Sequence, residues 1–248
     1  MKIVTTSWDD GYPADMRVAE MLYARQLKGT FYVPKAGPDG KPTLRAGEVR
    51  SLCQAGFDIG AHTLTHCDLT KVSPQQMKSE INGSKWFVQN LCGADVNAFC
   101  YPRGRFNARV RACVREAGFR GARTTRMLAT QPCFDPFEMP TALQAFPTPP
   151  VSYLKNCAKR RQWTSMYRYV TQWCRSAHWV KLGRKLFDEV LESRGIWHLY
   201  GHSWEIEALD LWTELGELLD YVAHRPGVIY ESNSGLLDMT HAGRELEA

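Results

Sequence analysis

Two adjacent carboxylates, Asp9 and Asp10, and a pair of histidines four residues apart, His62 and His66, are the residues most suited to chemistry in this chain. The His-x-x-x-His spacing puts two imidazoles one helical turn apart, so both can face one cation. With a carboxylate as third ligand, such a set leaves positions open for water and substrate, as hydrolytic zinc sites require. Consecutive residues point in different directions. One aspartate can therefore hold the cation while its neighbour faces the attacking water as general base. Departure of an amine needs an acid, and His202 is the candidate because its ordinary pKa lies near the working range. Each feature has a plain alternative. Asp9-Asp10-Gly11 is also a turn sequence, and His202 can serve as a structural histidine. His198 alternates to another face of its strand. His178, His224 and His241 have no supporting neighbours in sequence, and Cys67 reads as a small buried filler rather than a ligand.

The elements that must position these residues alternate between strand and helix. β-like runs occur at 2–7, 29–33, 57–60, 98–101, 121–123, 196–200 and 228–230. Between them lie stretches of helical periodicity: Val18, Met21, Leu22 and Arg25; Val49 and Leu52, closed by Gly56; and Met77, Ile81, Val88 and Leu91, opened by Ser73, Pro74 and Gln76 as a capping box. Asn107 caps a further helix that ends at Gly118, and Trp212, Leu215, Leu219 and Val222 mark the last one. Residues 131–152 are Pro-rich and read as a long loop, and 155–193 as helical. The chain from 1 to 240 reads as one α/β domain with a parallel sheet, followed by a frayed polar tail at 241–248. Asp9 and Asp10, His62 and His66, Pro102-Arg103-Gly104, Arg123 and His202 all follow predicted strands. The C-terminal strand ends of such folds converge on the ligand site, and this convergence outweighs the alternatives for each motif alone.

The bulk numbers fit a globular enzyme. Apolar residues make up 44% of 248 and charged residues 23%, with a formal charge of +5. The basic residues concentrate between Lys155 and Lys185, which reads as a solvated helix face or as a contact for an anionic partner, such as a phosphate-bearing sugar carrier or a membrane surface. Nucleic acid is not an expected partner. No Gly-x-Gly-x-x-Gly follows the first strand, so a dinucleotide site is unsupported. The start of the chain lacks a secretory pattern and no run is long enough to span a bilayer, so the expected location is the cytoplasm. The eight cysteines include no Cys-x-x-Cys pair and are expected to be reduced and mostly buried.

Taken in order, these motifs resemble those of the polysaccharide deacetylase family, also called the NodB-homology or carbohydrate esterase 4 family. Ser7-Trp8-Asp9-Asp10-Gly11 stands where that family has Thr-Phe-Asp-Asp-Gly, His62-Thr63-Leu64-Thr65-His66 matches His-Ser/Thr-x-x-His, and Tyr200-Gly201-His202 resembles Leu-x-His. The resemblance implies a distorted seven-stranded (β/α) barrel and one divalent metal, zinc first, with cobalt or nickel as alternatives. It implies Asp9 as base, Asp10, His62 and His66 as metal ligands, and His202 as acid. The family's third motif begins with an Arg that orients the base. Here Cys100 holds that position, so Arg123 or Arg103 must supply the cation, while the Arg103 backbone N–H supports the oxyanion. No clear fourth motif is present, and Glu205 and Asp135 are candidates for its acid. Trp204, Tyr101 and Trp163 are candidates for a sugar-stacking surface. The His202-Ser203-Trp204-Glu205 run resembles a bacterial subgroup tied to surface-polysaccharide synthesis. The implied reaction is removal of an acyl group, acetyl first, from an amino sugar or sugar precursor, and the expected cytoplasmic location favours one that is nucleotide- or lipid-linked. The alternatives are a deformylase or cyclic amide hydrolase on the same fold, and a non-catalytic carbohydrate-binding homologue.

Overall fold

The computed structural model describes residues 1–173 and 178–247. Among these residues eight strands form one parallel sheet: β1 (Lys2–Trp8), β2 (Thr30–Val33), β3 (Asp58–Ala61), β4 (Ala98–Cys100), β5 (Gly121–Arg123), β6 (Leu143–Gln144), β7 (Gly195–Gly201) and β8 (Ile229–Tyr230). Their order is β5-β4-β3-β2-β1-β7-β6, with β8 paired to β1. Among the described residues, ten α-helices run between and after them: α1 (Asp15–Tyr23), α2 (Ala46–Gln54), α3 (Pro74–Cys92), α4 (Ala108–Glu116), α5 (Pro150–Lys159), α6 (Trp163–Thr171), α7 (Trp179–Ser193), α8 (Ser203–Ala208), α9 (Trp212–Val222) and α10 (Asn233–Glu247).

β1 is central because it is buried on both faces from Ile3 to Trp8, as strands of parallel sheets are. β7 pairs with its whole length. On its other edge, β8 meets Ile3 and Val4, and β2 meets Ser7 and Trp8. The barrel is incompletely closed. β5 and β6 end the order, and the chain between them spans the seam, with Met139 bridging Arg123 and the Leu128 N–H donating to the Ala142 carbonyl. The distorted (β/α) barrel implied by the resemblance is therefore present, with eight strands among the described residues rather than seven because β6 joins the edge of β7.

Three expectations change. The segment 131–152 is not one loop: it holds a 3-10 turn at Pro136–Glu138 and the two-residue strand β6, which pairs Leu143 with Leu199 and Gln144 with Tyr200. So short a strand has no periodicity to detect, and the exposed edge of β7 creates it. The stretch 155–193 divides into α5, α6 and α7, with residues 174–177, including Cys174, outside the described part. Helix α10 continues to Glu247, through most of the stretch 241–248 expected to be a frayed tail. Asn233 anchors this helix: its amide contacts Thr5 Oγ1 at 2.9 Å and donates to the Tyr32 hydroxyl at 2.9 Å. Leu236 and Leu237 bury beside β1 and β4. The side chains of residues 241–248, His241 among them, lie outside the described part.

Two cysteines expected to be reduced, Cys53 of α2 and Cys92 of α3, are joined as a disulfide. Cys67, Cys100, Cys113, Cys133 and Cys157 are free, and Cys133 is exposed. Among the described residues, no helix is long and apolar enough to cross a membrane.

Candidate active site

The chain turns sharply after β1. Asp10 and Gly11 both take left-handed conformations, φ 73° and 57°. A Cβ on Gly11 would come within 3.0 Å of Val33, so glycine is needed there twice over. Asp9-Asp10-Gly11 is thus a turn as well as a site, and the turn aims the two carboxylates in different directions.

His62 and His66 follow β3, but on a loop rather than on a helical turn. Thr63 and His66 are left-handed at φ 63° and 54°. Glu80 of α3, 6% exposed, holds this loop: its carboxylate accepts from the Leu64 and Thr65 N–H groups at 2.8 and 3.0 Å and from the Thr65 hydroxyl at 2.8 Å. Sequence reasoning missed Glu80. Its signal was an acid within the buried stripe of α3, between Met77 and Ile81.

Asp10 Oδ1 lies 3.5 Å from His62 Nε2 and 3.3 Å from His66 Nε2, buried and without a hydrogen-bond partner. An orphaned carboxylate oxygen facing two imidazole nitrogens is costly alone. It is the arrangement expected where three donors converge on a cation. The surrounding hydrogen bonds fit the same reading. His62 Nδ1 sits 2.8 Å from the Cys100 carbonyl, which fixes the tautomer that leaves Nε2 free. The Trp204 indole N–H donates to Asp10 Oδ2 at 3.0 Å, leaving Oδ1 for the histidine side. Burial pushes the His66 ring down to about 4, keeping it in the neutral, ligating form. Asp9, His62 and Cys100 form a second group of possible ligands, but Arg123 already engages both Asp9 oxygens. The donors therefore fit a divalent ion held by Asp10, His62 and His66. Replacing Trp204 with Phe is expected to weaken zinc affinity about 10–100-fold through loss of the Asp10 hydrogen bond, as read by competition with a chromogenic chelator; unchanged affinity would remove Trp204 from that role.

Arg123 is fully buried at the end of β5 and binds both oxygens of Asp9. Burial opposes the Asp9 charge, but the Arg123 guanidinium outweighs it and holds the carboxyl below its ordinary range. Cys100 pairs in register with Arg123 across β4 and β5, and its Sγ is 3.8 Å from each Asp9 oxygen. The cation expected at position 100 thus comes from the paired position on the next strand. Arg103 does not share this role. Its side chain is half exposed, 3.9 Å from Asp39 at the rim, on a left-handed residue with φ 56°.

His202 Nε2 lies 3.8 Å from Asp9 Oδ2 and 3.9 Å from Asp10 Oδ2. Its Nδ1 is 2.7 Å from Glu205 Oε2, which also accepts from Gln144 Nε2 at 2.8 Å. Burial works against the charged ring, but Glu205 and the carboxylates of Asp9 and Asp10 hold its pKa above the ordinary histidine value. Glu205 is thus the acid paired with His202. Asp135 instead caps the 3-10 turn and pairs with Arg111. His198 is structural as expected, held by Ser7 and the Pro140 carbonyl and kept neutral by burial.

The pocket over these groups holds about 290 Å³ and is lined by Asp9, Asp10, His62, His66, His202 and Trp204 among others. Of the three stacking candidates only Trp204 faces it, and Lys41 sits 4.6 Å over its ring. Tyr101 is fully buried, stacked on Phe106, and donates to the Phe137 carbonyl. Trp163 is exposed but does not line the pocket. A second missed residue is Asp15, fully buried at the start of α1, where an acid reads simply as helix-start chemistry. Burial and the nearby Asp10 and Asp9 charges push its carboxyl well above the ordinary range.

Residues 1–122 match the family model for polysaccharide deacetylase. A Bacillus subtilis (strain 168) protein named "Putative polysaccharide deacetylase YxkH" is 28% identical over 125 residues, which is 50% of this chain and 45% of that one. The chain covers less than half the length of the curated relatives it matches, between 16% and 45% of them. In three dimensions it resembles a "putative polysaccharide deacetylase from Mycobacterium smegmatis", with a TM-score of 0.65, 14% identity, and 98% and 91% of the two chains covered. It also resembles the Xyl-CE4 domain of a multidomain xylanase from the hindgut metagenome of Trinervitermes trinervoides, with a TM-score of 0.60, 14% identity, and 97% and 91% covered. At these identities the likeness concerns the fold.

Proposed function

We propose that the chain, whose residues 1–122 match the family model for polysaccharide deacetylase, is a divalent-metal-dependent hydrolase that removes the N-acetyl group of an amino sugar. The observation that carries this reading is the orphaned Asp10 Oδ1 facing His62 and His66, with an ion-paired Asp9 on one side and a Glu205-backed His202 on the other. A divalent ion at Asp10, His62 and His66, zinc before cobalt or nickel, supplies Lewis-acid polarisation of the carbonyl and a lowered pKa for water.

The chain's own groups do the rest. Asp9, held ionised by Arg123, takes the proton of the attacking water. The Arg103 backbone N–H, at the pocket rim, contributes to holding the oxyanion. His202, with a pKa raised by Glu205 and the site's carboxylates, carries a proton for the departing nitrogen. Trp204 offers the sugar an aromatic face once Lys41 moves off it. The Ser203-Trp204-Glu205 run after His202 supports a role in surface-polysaccharide synthesis, with a nucleotide- or lipid-linked amino sugar as substrate.

The test is acetate release from N-acetylated sugars and sugar nucleotides by zinc- or cobalt-loaded protein. Acetate together with a free amine is the expected product. Formate or an opened ring would replace this reading with another amide hydrolase. Failure to hold divalent metal after loading would end it in favour of a non-catalytic carbohydrate-binding protein.

A further inference from the structure

A groove of about 430 Å³ adjoins the candidate active site, bounded by α5 and the segment around β6. Glu205 joins the two depressions. Its carboxylate lines the groove and at the same time holds the ring of His202, which lines the active-site pocket. Lys155 and Lys159 stand four residues apart on α5, so both ammonium groups reach the same wall of the groove. Both are exposed, and neither makes an ion pair among the described residues. Glu205 is the sole acid lining the groove, and its charge is already met by His202 and Gln144. Thr148, only 6% exposed, lines the groove with its hydroxyl facing that of Tyr153. The helix that bears the lysines is also tied to the catalytic rim. Asn156 lies between them and donates to the carbonyl of Thr125, a residue of the active-site pocket, at 2.9 Å.

We propose that this groove is an anion-binding subsite, taking a phosphate, diphosphate or carboxylate carried by the amino sugar whose amide lies beside His202. A concave wall with two uncompensated ammonium groups focuses positive potential, and lysine binds phosphate as a point charge. Apolar contacts from Met127, Phe146 and Pro149 complete the lining. The sugar rests on the deacetylase reading above; the anion rests on the groove alone.

The metal-loaded Asp9→Asn protein is titrated at low ionic strength with N-acetylglucosamine 6-phosphate, UDP-N-acetylglucosamine and N-acetylmuramic acid, and with the neutral N,N′-diacetylchitobiose. At least one anionic probe is expected to bind about tenfold tighter than the neutral one, and which one does so separates phosphate, diphosphate and carboxylate. The preference should fade with salt. It should disappear in Lys155→Ala/Lys159→Ala and persist in Lys155→Arg/Lys159→Arg. Equal affinity for neutral and anionic probes, or an undiminished preference in the alanine variant, overturns the proposal. The two readings fail separately. Lysine-dependent anion binding by an otherwise native chain that releases no acetate removes the deacetylase and keeps the groove. Acetate release with no anion preference does the reverse.

Discussion

Asp9→Asn is expected to lower turnover by about 10²–10⁴-fold, the usual contribution of a positioned general base, while zinc content stays that of the native protein. The two effects separate because the carboxylates divide their work. Asp10 Oδ1 faces His62 and His66, and none of the three depends on Asp9 for its placement: Trp204 holds Asp10, the Cys100 carbonyl holds His62, and Glu80 holds the loop that bears His66. Asparagine keeps the size of Asp9 but accepts no proton at neutral pH. Steady-state kinetics on the best acetylated substrate, beside metal analysis of the same preparation, gives the answer. A fully active Asp9→Asn enzyme removes Asp9 as base, and an inactive one that has also lost its zinc assigns Asp9 to the metal instead. His66→Ala provides the contrast, losing metal and turnover together.

The part of this site legible in sequence is the part written in side-chain type. Asp9, Asp10, His62, His66 and His202 come together because they follow strands of one parallel sheet, and strand alternation is visible in a hydrophobic pattern. What supports them is written in packing. Glu80 and Asp15 look like ordinary helix acids until burial is known. The spacing of His62 and His66 resembles a helical turn, yet the loop between them is held by left-handed residues and by Glu80. Tyr101 looks like a stacking residue and is instead part of the core, because β4 directs it toward Phe99 and Phe106.

The fold shows the same division. β1 and β7 each run seven residues and declare themselves. β6 has two residues and exists because β7 offers an unpaired edge. Its Gln144 then links Tyr200 to Glu205, so an element invisible in sequence supports the partner of the proposed acid. The join of Cys53 to Cys92 was likewise illegible, since the cysteines follow no motif and only the packing of α2 on α3 brings their Cα atoms to 5.9 Å.

Arg123→Met is the substitution expected to reach furthest. Removing one partner of a buried ion pair typically costs about 3–5 kcal/mol, which for a chain of this size corresponds to a fall in melting temperature of roughly 6–20 °C. The chemical effect has a definite sign. In the native protein Arg123 outweighs burial and holds Asp9 below its ordinary range, so this carboxylate, the proposed base, is ionised throughout the neutral region and its stabilising charge is lost only as pH falls through that lowered value. Without the guanidinium, burial dominates and the carboxyl rises above its ordinary range. The acid limb of the kcat/KM profile should then move to higher pH, with activity at pH 7 reduced and partly recovered on the alkaline side. A purely structural role would lower activity evenly across pH. Adding Cys100→Arg to Arg123→Met offers a cation from the register partner of the lost one, at a position whose present Sγ is 3.8 Å from both Asp9 oxygens. The acid limb is expected to return toward its native place in that double variant. An Arg123→Met enzyme with a native profile would show that Asp9 does not take its ionisation from Arg123, and the exchange of the cation between neighbouring strands would have no bearing on catalysis.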